Sequence, residues 1–593
     1  MSIRVILASA LLALPIALPA HAADGAGSAP TAANAVAARG VPVLLDEAQR
    51  AGYRSVFTSI RAQRWADAQL QLDAMRPGPL HTIARAELYT AKGSPRVELQ
   101  PLQALLAEAP ELPQAPDLAR LATVRGAETL PSIPSQQRLI WQNGAPNRLH
   151  VEAARTDAAA ARLAGDMTPH IKDDNGPAAE ALVESRASEL SPEALTAWRH
   201  RVAWIYYLMG DDASARRIAA KAQGGTGDFV AQADWVQGLA AWRQQDCAGA
   251  QAAFQRVSER AADVDLRAAS LYWASRADIA CARPDLVQAR LQRASQYGET
   301  FYGMLARQAL GLKPAPVPGM ASAVGDDWRA LEKRPNVRVA AALAEIGEDQ
   351  LAAAVIRHQA KIGDASDYVP LTRLAGRLDL PQTQLWLSHY APRGSKSEVA
   401  TRYPAPNWTP DGGWRVDKAL VYAHALQESK FDADVVSPAG AYGLMQIMPA
   451  AAVDIGRAKG RTIARSDLSR PSTNIEVGQS YLEKLRDMSA TGGLLPKVIA
   501  AYNAGPSPVE AWNVATRDGG DPLLYIESIP YWETRGYVMT VLRNYWMYEA
   551  KDAKESASRK ALAQGMWPRF PGMKGEKAVK LGSRRGSRTA SAN

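Results

Sequence analysis

The sequence predicts a mainly all-α protein, in which an α-superhelical solenoid of helical hairpins precedes a small helical linker domain and a C-terminal helical domain. Two observations carry this prediction. From about residue 44 to residue 311 the chain is rich in Ala, Leu, Arg and Gln, with few strand-forming residues. Helical segments recur there at intervals of roughly 34–36 residues, which is typical of stacked helical hairpins. At 593 residues the chain is also too long for a single core.

Composition and proline clusters divide the chain into six segments. The break after the superhelix follows from Pro314, Pro316 and Pro318, because proline interrupts helices. We expect a signal peptide at 1–22, a low-complexity lead at 23–43, the superhelical domain at 44–318, the linker domain at 327–398, the C-terminal domain at 399–550 and a basic tail at 551–593.

The first segment has the features of a cleavable secretory signal. An apolar run over residues 5–18 precedes the small-residue site Ala20-His21-Ala22. A membrane anchor is the alternative, although Pro15 and Pro19 interrupt the run and it is short for a span. Because no cysteine lies near the cleavage site, we do not expect a lipoprotein. The sequence therefore predicts export to the periplasm.

The chain has two cysteines, Cys247 and Cys281. An oxidising compartment favours a disulfide between them, and they occupy similar places in successive predicted hairpins. Two unpaired buried thiols are the alternative. The spacing lacks the paired Cys or His ligands of a zinc site, so we expect no metal and no cofactor.

Positive charge is concentrated at the C-terminus. Residues 551–593 hold eleven Lys and Arg against three Asp and Glu, a net charge of +8 out of +9 for the whole chain. With Gly, Ser and Pro and little apolar periodicity, this pattern predicts a disordered tail. Such a tail is either merely solvated or makes peripheral contact with anionic wall polymers or a membrane surface. For an exported protein we expect no nucleic-acid partner, and we expect a monomer.

One carboxylate lies on a helix that is otherwise apolar. Leu420, Val421 and His424 recur at helical spacing, Asp417 is a suitable N-cap, and Glu428 falls next on the same stripe. A carboxyl group held in an apolar pocket keeps its proton near neutral pH, as a general acid must. A buried Glu paired with an Arg is the alternative interpretation, because ion pairs also perturb pKa values.

The residues after Glu428 favour the catalytic interpretation. Ser437 lies nine positions on, and the segment 440–449 reads Gly-Ala-Tyr-Gly-Leu-Met-Gln-Ile-Met-Pro. Its two glycines allow tight turns, and Gln446 offers an amide that suits N-acetyl and hydroxyl groups. This region resembles the soluble lytic murein transglycosylases, goose-lysozyme-like enzymes that cleave the glycan strands of peptidoglycan. The whole motif of that family is matched here, which makes the resemblance specific.

Two further blocks follow in the order of that family. Residues 501–506 read Ala-Tyr-Asn-Ala-Gly-Pro, similar to the family block whose Tyr, here Tyr502, points at the catalytic Glu. Residues 527–538 are similar to its Ile-Pro-aromatic-x-Glu-Thr-Arg-x-Tyr-Val signature. Within this signature, Glu533 and Arg535 form either a surface ion pair or part of the binding site. The resemblance extends from about residue 415 to residue 548 and implies a lysozyme-like catalytic domain.

The resemblance also implies a reaction and its residues. Glu428 would be the single catalytic residue and would act first as acid and then as base on the bond between N-acetylmuramic acid and N-acetylglucosamine. The substrate-binding residues it implies are Ser437, Gln446, Met448, Tyr502, Asn503 and Glu533.

Ordinary glycosidases use two carboxylates. The acids nearest the motif, Asp432, Asp434 and Asp454, do not match catalytic positions of the family. The transglycosylase prediction therefore has two rivals: a hydrolytic lysozyme of the same fold, and a non-catalytic peptidoglycan-binding scaffold built on the solenoid. An intact Glu428 argues against the scaffold.

Overall fold

The computed structural model describes residues 40–150, 157–313, 317 and 325–582, and within these ranges the regular secondary structure is helical apart from four two-residue strands. The strands form two antiparallel pairs, β1 (Ile140–Trp141) with β2 (Tyr390–Ala391) and β3 (Trp567–Pro568) with β4 (Ala578–Val579). The predicted fold class is confirmed. In the described ranges no helix combines the length and apolar character needed to cross a bilayer. The predicted signal peptide lies outside these ranges.

The N-terminal part is a group of five helices. The first begins with a capping box, in which the Asp46 carboxylate accepts from the Gln49 N–H and the Gln49 side chain accepts from the Asp46 N–H. These helices are α1 (Glu47–Arg61), α2 (Trp65–Ala74), α3 (His81–Thr90), α4 (Leu99–Glu108) and α5 (Ala115–Val124).

The next nine helices stack in the order of the sequence, so that neighbouring helices pack on each other, as the hairpin spacing predicts. A disulfide joins Cys247, the first residue of α11, to Cys281 just after α12, with the two Cα atoms 5.6 Å apart. It therefore links the turns of two successive hairpins. The helices are α6 (Ala158–Lys172), α7 (Gly176–Ser185), α8 (Pro192–Met209), α9 (Asp212–Ala222), α10 (Phe229–Arg243), α11 (Cys247–Arg260), α12 (Val264–Ala280), α13 (Pro284–Ser295) and α14 (Phe301–Ala309).

The predicted linker region shares its core with the N-terminal helices. Buried side chains such as Leu343 and Leu374 form one hydrophobic cluster with Tyr53 and Leu106, while helices α6–α14 belong to a second cluster. Hydrophobic packing thus joins segments that are more than 200 residues apart in sequence, and the domain boundaries given above remain a prediction. The linker helices are α15 (Asp326–Leu331), α16 (Pro335–Ile346), α17 (Asp349–Ile362), α18 (Tyr368–Arg377) and α19 (Pro381–His389).

The region that carries the motifs shares the second cluster with the superhelix. Its central contact is between helix α20 (Lys418–Glu428) and the long helix α26 (Trp532–Lys551), which contains the second part of the third motif. The helices are α20 (Lys418–Glu428), α21 (Pro449–Ala458), α22 (Pro471–Asp487), α23 (Leu495–Ala504), α24 (Pro506–Ala515), α25 (Pro522–Glu527) and α26 (Trp532–Lys551).

The prediction of a disordered tail from residue 551 is wrong for residues 551–582. Helix α27 (Ala557–Ala563) and the β3–β4 pair follow α26 and pack on the second cluster. Leu562 and Trp567 are fully buried, the Trp567 indole N–H donates to the Gly520 carbonyl at 2.8 Å, and Lys551 donates to the Tyr403 carbonyl. These irregularly spaced apolar residues outweigh the net charge, because burial of a few large side chains stabilises a segment that charge alone predicts to be unfolded. Residues 583–593 lie outside the described ranges.

Candidate active site

The position of Glu428 follows from the structure of α20. Asp417 caps the helix by accepting from the Ala419 N–H at 2.8 Å. The apolar stripe of the helix, with Leu420, Val421 and His424 fully buried, packs against α26. Glu428 is the last residue of α20 and is half-buried. The capped, buried helix therefore holds the carboxyl group at the edge of the core, where a substrate can reach it.

Burial governs the acidity of Glu428. The pKa of Glu428 is raised to about 7, chiefly by loss of hydration and to a smaller extent by the charge of Glu533, whereas a hydrogen bond from Tyr537 lowers it. The carbonyl end of α20 also disfavours a negative charge at this position. None of the ion pairs among the described residues includes Glu428. The alternative of a Glu paired with an Arg is thus not what the structure contains.

Tyr537 is hydrogen-bonded to Glu428, the candidate catalytic residue. Its hydroxyl donates to Glu428 Oε1 at 2.5 Å, and the Tyr537 side chain is buried. Tyr537 belongs to the third motif but is not among the site residues that the family resemblance implies. A signal was available: Tyr537 lies four residues after Glu533, so both point from the same face of α26.

Tyr502 lies beside this pair but contacts a different group. Its hydroxyl donates to the Met445 carbonyl at 2.8 Å, and its ring packs on His424 with centroids 4.9 Å apart. Burial, and after it the charge of Glu428, raises the pKa of Tyr502. Tyr502 is therefore close enough to sense Glu428 while its hydroxyl braces the loop that carries Met445.

That loop, residues 435–447, is a small hairpin in which Tyr442 bridges to both Val436 and Ile447. Gly443 has a φ of 69°, and a Cβ there would meet the Leu468 carbonyl at 2.4 Å, so the turn requires glycine. Asn474 locks the hairpin to α22 by accepting from the Met445 N–H at 2.9 Å and donating to the Tyr442 carbonyl at 3.0 Å.

Three predicted binding residues lie on or next to this hairpin. The Ser437 hydroxyl accepts from the Ala441 N–H at 3.0 Å, and the Gln446 amide donates to the Gly443 carbonyl at 2.9 Å. Both side chains therefore already shape the loop from within. Met448 is 45% exposed and is available as an apolar wall.

Asn503 and Glu533 lie together on the other side. Asn503 accepts from the Thr534 hydroxyl at 2.6 Å, and its amide nitrogen is 3.5 Å from Glu533 Oε1. Glu533 is exposed and, through its charge, raises the pKa of Glu428. The surface ion pair of Glu533 with Arg535 is wrong, because Arg535 is buried and stacks on Trp204 with 4.1 Å from its guanidinium carbon to the ring centroid.

The other acids near the motif are engaged elsewhere. Asp432 accepts from the Gln382 amide at 3.0 Å, and Asp454 forms exposed pairs with Arg457 and Lys484. Within the described ranges no three His, Cys, Asp or Glu side chains are grouped as metal ligands would be. The described residues around Glu428 are thus Tyr537, Tyr502 and Glu533. Because Glu533 is exposed, Glu428 is the acid among them whose pKa burial raises, and this favours proton transfer by one acid.

Comparison with known proteins gives this geometry a context. Residues 410–523 match the family described as Transglycosylase SLT domain. The chain is 39% identical over 132 residues to the soluble lytic murein transglycosylase of Salmonella typhimurium, and 39% identical over 133 residues to that of Escherichia coli K12. Each match covers 22% of this chain and 20% of the relative, so it spans only about a fifth of the length of these relatives.

The likeness in fold extends further than the likeness in sequence. The crystal structure of the 70 kDa soluble lytic transglycosylase from Escherichia coli superposes with a TM-score of 0.53 at 18% identity, over 88% of this chain and 99% of that one. At this identity the match concerns the fold alone. The resemblance that the motifs predict is confirmed. The chain carries a transglycosylase SLT domain at residues 410–523, of the kind found in soluble lytic murein transglycosylases, within a fold similar to theirs.

Proposed function

We propose that this protein is a peptidoglycan lytic transglycosylase of cell-wall turnover. It would cleave the β-1,4 bond between N-acetylmuramic acid and N-acetylglucosamine and leave 1,6-anhydromuramoyl products. The observation that carries the proposal is the state of Glu428: burial raises the pKa of its carboxyl group to about 7, and one Tyr537 hydroxyl contacts it. An acid with this pKa can both give and take a proton near neutral pH.

In the first step Glu428 acts as the acid. Its proton passes to the glycosidic oxygen as the bond from that oxygen to C1 of the muramic acid breaks, and the N-acetylglucosamine leaves with a new hydroxyl. Burial favours the protonated starting state. The acetamido group of the muramic acid is suited to stabilise the positive charge that develops at C1, in the manner of substrate-assisted glycosidases.

In the second step the same residue acts as the base. The Glu428 carboxylate takes the proton of the C6 hydroxyl, whose oxygen bonds to C1 and closes the 1,6-anhydro ring, so that no water is consumed. The Tyr537 hydroxyl, which donates to Oε1 at 2.5 Å, stabilises the carboxylate formed between the two steps. Glu428 ends the cycle protonated and ready for the next strand.

The remaining predicted residues supply the groove. In this proposal Ser437 and Tyr502 position the acetamido group and the acid, while Gln446, Met448, Asn503 and Glu533 line the path of the glycan. Their placement on both sides of the end of α20, on the 435–447 hairpin and on α23 and α26, supports this assignment. We also propose a periplasmic protein, delivered by the signal peptide at 1–22 and able to contact wall or membrane surfaces through basic residues after 551.

Glu533 supports one rival reaction. It is a second acid whose charge reaches Glu428, and an acid that activates water would turn the same site into a hydrolase. The two reactions leave different products. Hydrolysis gives a reducing muramic acid that contains a solvent oxygen, whereas the transglycosylase reaction gives an anhydro end that contains none.

The test is a digest of purified peptidoglycan by the full-length protein in ¹⁸O-labelled water, with mass analysis of the products. We expect 1,6-anhydromuramoyl ends without label, and no products from Glu428→Gln. Labelled reducing ends would establish the hydrolase, and binding without products of either kind would establish the non-catalytic scaffold.

A further inference from the structure

A cavity of about 640 Å³ lies where the superhelix meets the start of α26. Its walls come from α8 and α10 on one side and from residues 530–535 on the other. The lining includes Trp198, Trp204, Trp235 and Trp532 together with Arg535. A pocket of this size, lined by aromatic and apolar side chains together with the polar residues His150, His200, Arg201, Gln232 and Arg535, has the character of a ligand site.

The unusual member of this lining is Arg535. It is only 5% exposed, and its Nε donates to the Ile529 carbonyl at 3.2 Å, but it forms no ion pair with any described residue. Burial lowers the pKa of Arg535 to about 10, so the guanidinium is charged at neutral pH. Buried charges in proteins are usually paired, because an isolated one loses its hydration without compensation. An Arg without a carboxylate in an ion pair at the wall of a cavity therefore indicates a place for an anion.

The other arginines at this interface make the contrast clear. Arg148 is equally buried but pairs with Glu527 at 2.7 Å and Asp265 at 3.2 Å. Arg276 stacks over Trp242 and Trp273, as Arg535 does over Trp204, but it also pairs with Asp521 at 2.5 Å. Of these three arginines, only Arg535 forms no ion pair with a described residue, and the cavity also has the exposed Arg201 in its lining.

The aromatic walls suit a sugar ring. The Arg535 guanidinium lies between the Trp204 ring at 4.1 Å and the Trp532 ring at 5.3 Å, and Trp532 is half-buried, so part of its surface is open. The indole N–H groups of Trp198 and Trp235 are buried without a hydrogen-bond partner among the described residues. Amphipathic aromatic rings beside a fixed cation match a ligand with an apolar sugar face and a carboxylate.

This cavity adjoins the candidate active site through one helical turn. Trp532 and Arg535, three residues apart, face the cavity, whereas Glu533 and Tyr537, four residues apart, are directed to Glu428. Tyr531, which is 54% exposed, lies in the cavity lining two residues before Glu533, so the opening of the cavity and the groove are close in the chain.

We propose that the cavity formed by Trp204, Trp532 and Arg535 is a second binding site, which holds a carboxylate-bearing N-acetylated amino sugar of peptidoglycan away from the bond that is cleaved. The proposal rests on the proposed function, since peptidoglycan is the substrate there. In that polymer the carboxylate has two sources, the lactyl group of a muramic acid without peptide and the peptide attached to it. Arg535 would bind either one through paired N–H donors.

The test is calorimetric titration of the full-length Glu428→Gln protein with three small probes. N-acetylmuramic acid presents the lactyl carboxylate, N-acetylmuramoyl-L-alanyl-D-glutamic acid presents peptide carboxylates, and N-acetylglucosamine presents none. We expect at least one of the first two to bind more tightly than the third. Arg535→Gln should weaken that binding roughly tenfold to a hundredfold, as the loss of a charge-assisted contact predicts, and Arg535→Lys should restore part of it.

Three further variants distinguish probe binding in the cavity from probe binding in the groove and from an effect on folding. Trp532→Ala should weaken binding with little effect on thermal stability, which keeps the test valid if Arg535→Gln unfolds. Arg276→Gln is the matched control: it removes a buried, Trp-stacked Arg that already has its carboxylate, and should leave probe affinity unchanged. Asn503→Ala alters the groove and identifies any part of the probe affinity that belongs to the groove and not to the cavity. Crystals soaked with the tighter probe should show it against Trp532.

Equal affinity of the three probes, or affinity that responds to Asn503→Ala and not to Trp532→Ala and Arg535→Gln, would overturn the proposal and leave Arg535 as an interface residue. Binding by N-acetylmuramic acid would assign the lactyl source, and binding by the dipeptide alone would assign the peptide. The peptidoglycan digest distinguishes the two proposals. A digest with anhydro ends and no cavity binding rejects the cavity alone, and cavity binding without anhydro ends rejects the proposed reaction alone.

Discussion

Two glutamates in this molecule each accept a hydrogen bond from a tyrosine and differ in one neighbour. Glu428 accepts from the Tyr537 hydroxyl at 2.5 Å, and Glu527 accepts from the Tyr302 hydroxyl at 2.7 Å. Glu527 also pairs with Arg148 at 2.7 Å, whereas Glu428 has no cation among the described ion pairs. The presence of a cation distinguishes the roles of the two side chains. With Arg148 beside it, the Glu527 carboxylate is a fixed part of the interface. Without a cation, the Glu428 carboxyl group keeps a proton that it can transfer.

The setting of each glutamate fits this division. Glu527 is fully buried between superhelix and catalytic region, where Trp273 donates to Tyr302 at 3.0 Å and extends the network. Glu428 is half-buried at the end of α20, within reach of a substrate. The following predictions test whether the two glutamates can be told apart by experiment.

The largest effect is expected at Glu428. Glu428→Gln keeps the shape of the side chain but removes the transferable proton from both steps, so we expect turnover to fall by more than about 10⁴-fold. The fold should be unchanged, as measured by circular dichroism and by binding to insoluble peptidoglycan. Residual turnover above a tenth of wild type would contradict the assignment of Glu428 as acid and base.

The second effect concerns stability and not chemistry. Arg148→Met leaves the carboxylates of Glu527 and Asp265 buried without their cation, which should lower the free energy of unfolding by about 3–5 kcal/mol. Denaturant titration measures this. Arg61→Met is the matched control, because its ion pair with Glu348 is exposed on the Arg side and should contribute less than about 1 kcal/mol. If the free energy of unfolding falls by an equally small amount in both variants, the ion pairs of Arg148 do not stabilise the interface.

The third effect is the contribution of Glu428 to the pH dependence of stability, which Glu428→Gln should lack. Because burial raises the pKa of Glu428 from 4.5 to about 7, the folded state binds its proton more tightly than the unfolded state. Stability should therefore fall as pH rises through that window, by up to about 3 kcal/mol from this group. Glu428→Gln should remove the dependence, so the variant gains stability relative to wild type between pH 4.5 and pH 7.

Thermal unfolding of both proteins across pH 4–8 measures this difference. Burial also raises the pKa of Glu549 to about 7, but Glu549 is present in both proteins and its contribution cancels. A constant difference between the two curves would show that the pKa of Glu428 is not raised.

The sequence predicted the burial of the Glu428 carboxyl group well because its cause is local. A capped helix with an apolar stripe that ends in a Glu specifies a buried carboxyl group whatever the rest of the chain does, and the pKa of Glu428 follows from that burial. Its neighbour Tyr537 lies 109 residues later in the sequence, and its four-residue spacing from Glu533 places both on one face of α26 without indicating which Glu that face contacts.

Long-range packing explains the other failures. Arg148 and Glu527 are 379 residues apart in sequence, so neither residue alone signals the pair. The fold of residues 551–582 depends on Trp567 and Leu562 entering a core that other segments build. Charge and composition describe a segment by itself, whereas these outcomes depend on what the segment can pack against.

The smallest effect separates the two tyrosines beside Glu428. Tyr537→Phe removes the hydroxyl that stabilises the Glu428 carboxylate, so we expect the pKa of Glu428 to rise further, the alkaline limb of the pH–activity profile to move to higher pH, and turnover to fall about tenfold. Tyr502→Phe instead frees the Met445 carbonyl in the hairpin, which should lower stability by about 1 kcal/mol and leave the alkaline limb in place. Initial rates across pH 5–9 for both variants measure this. Equal shifts of the limb in the two variants would show that Tyr502 also contacts the acid during turnover, whereas no shift in either would mean that the Tyr537 hydrogen bond does not set the acidity of Glu428.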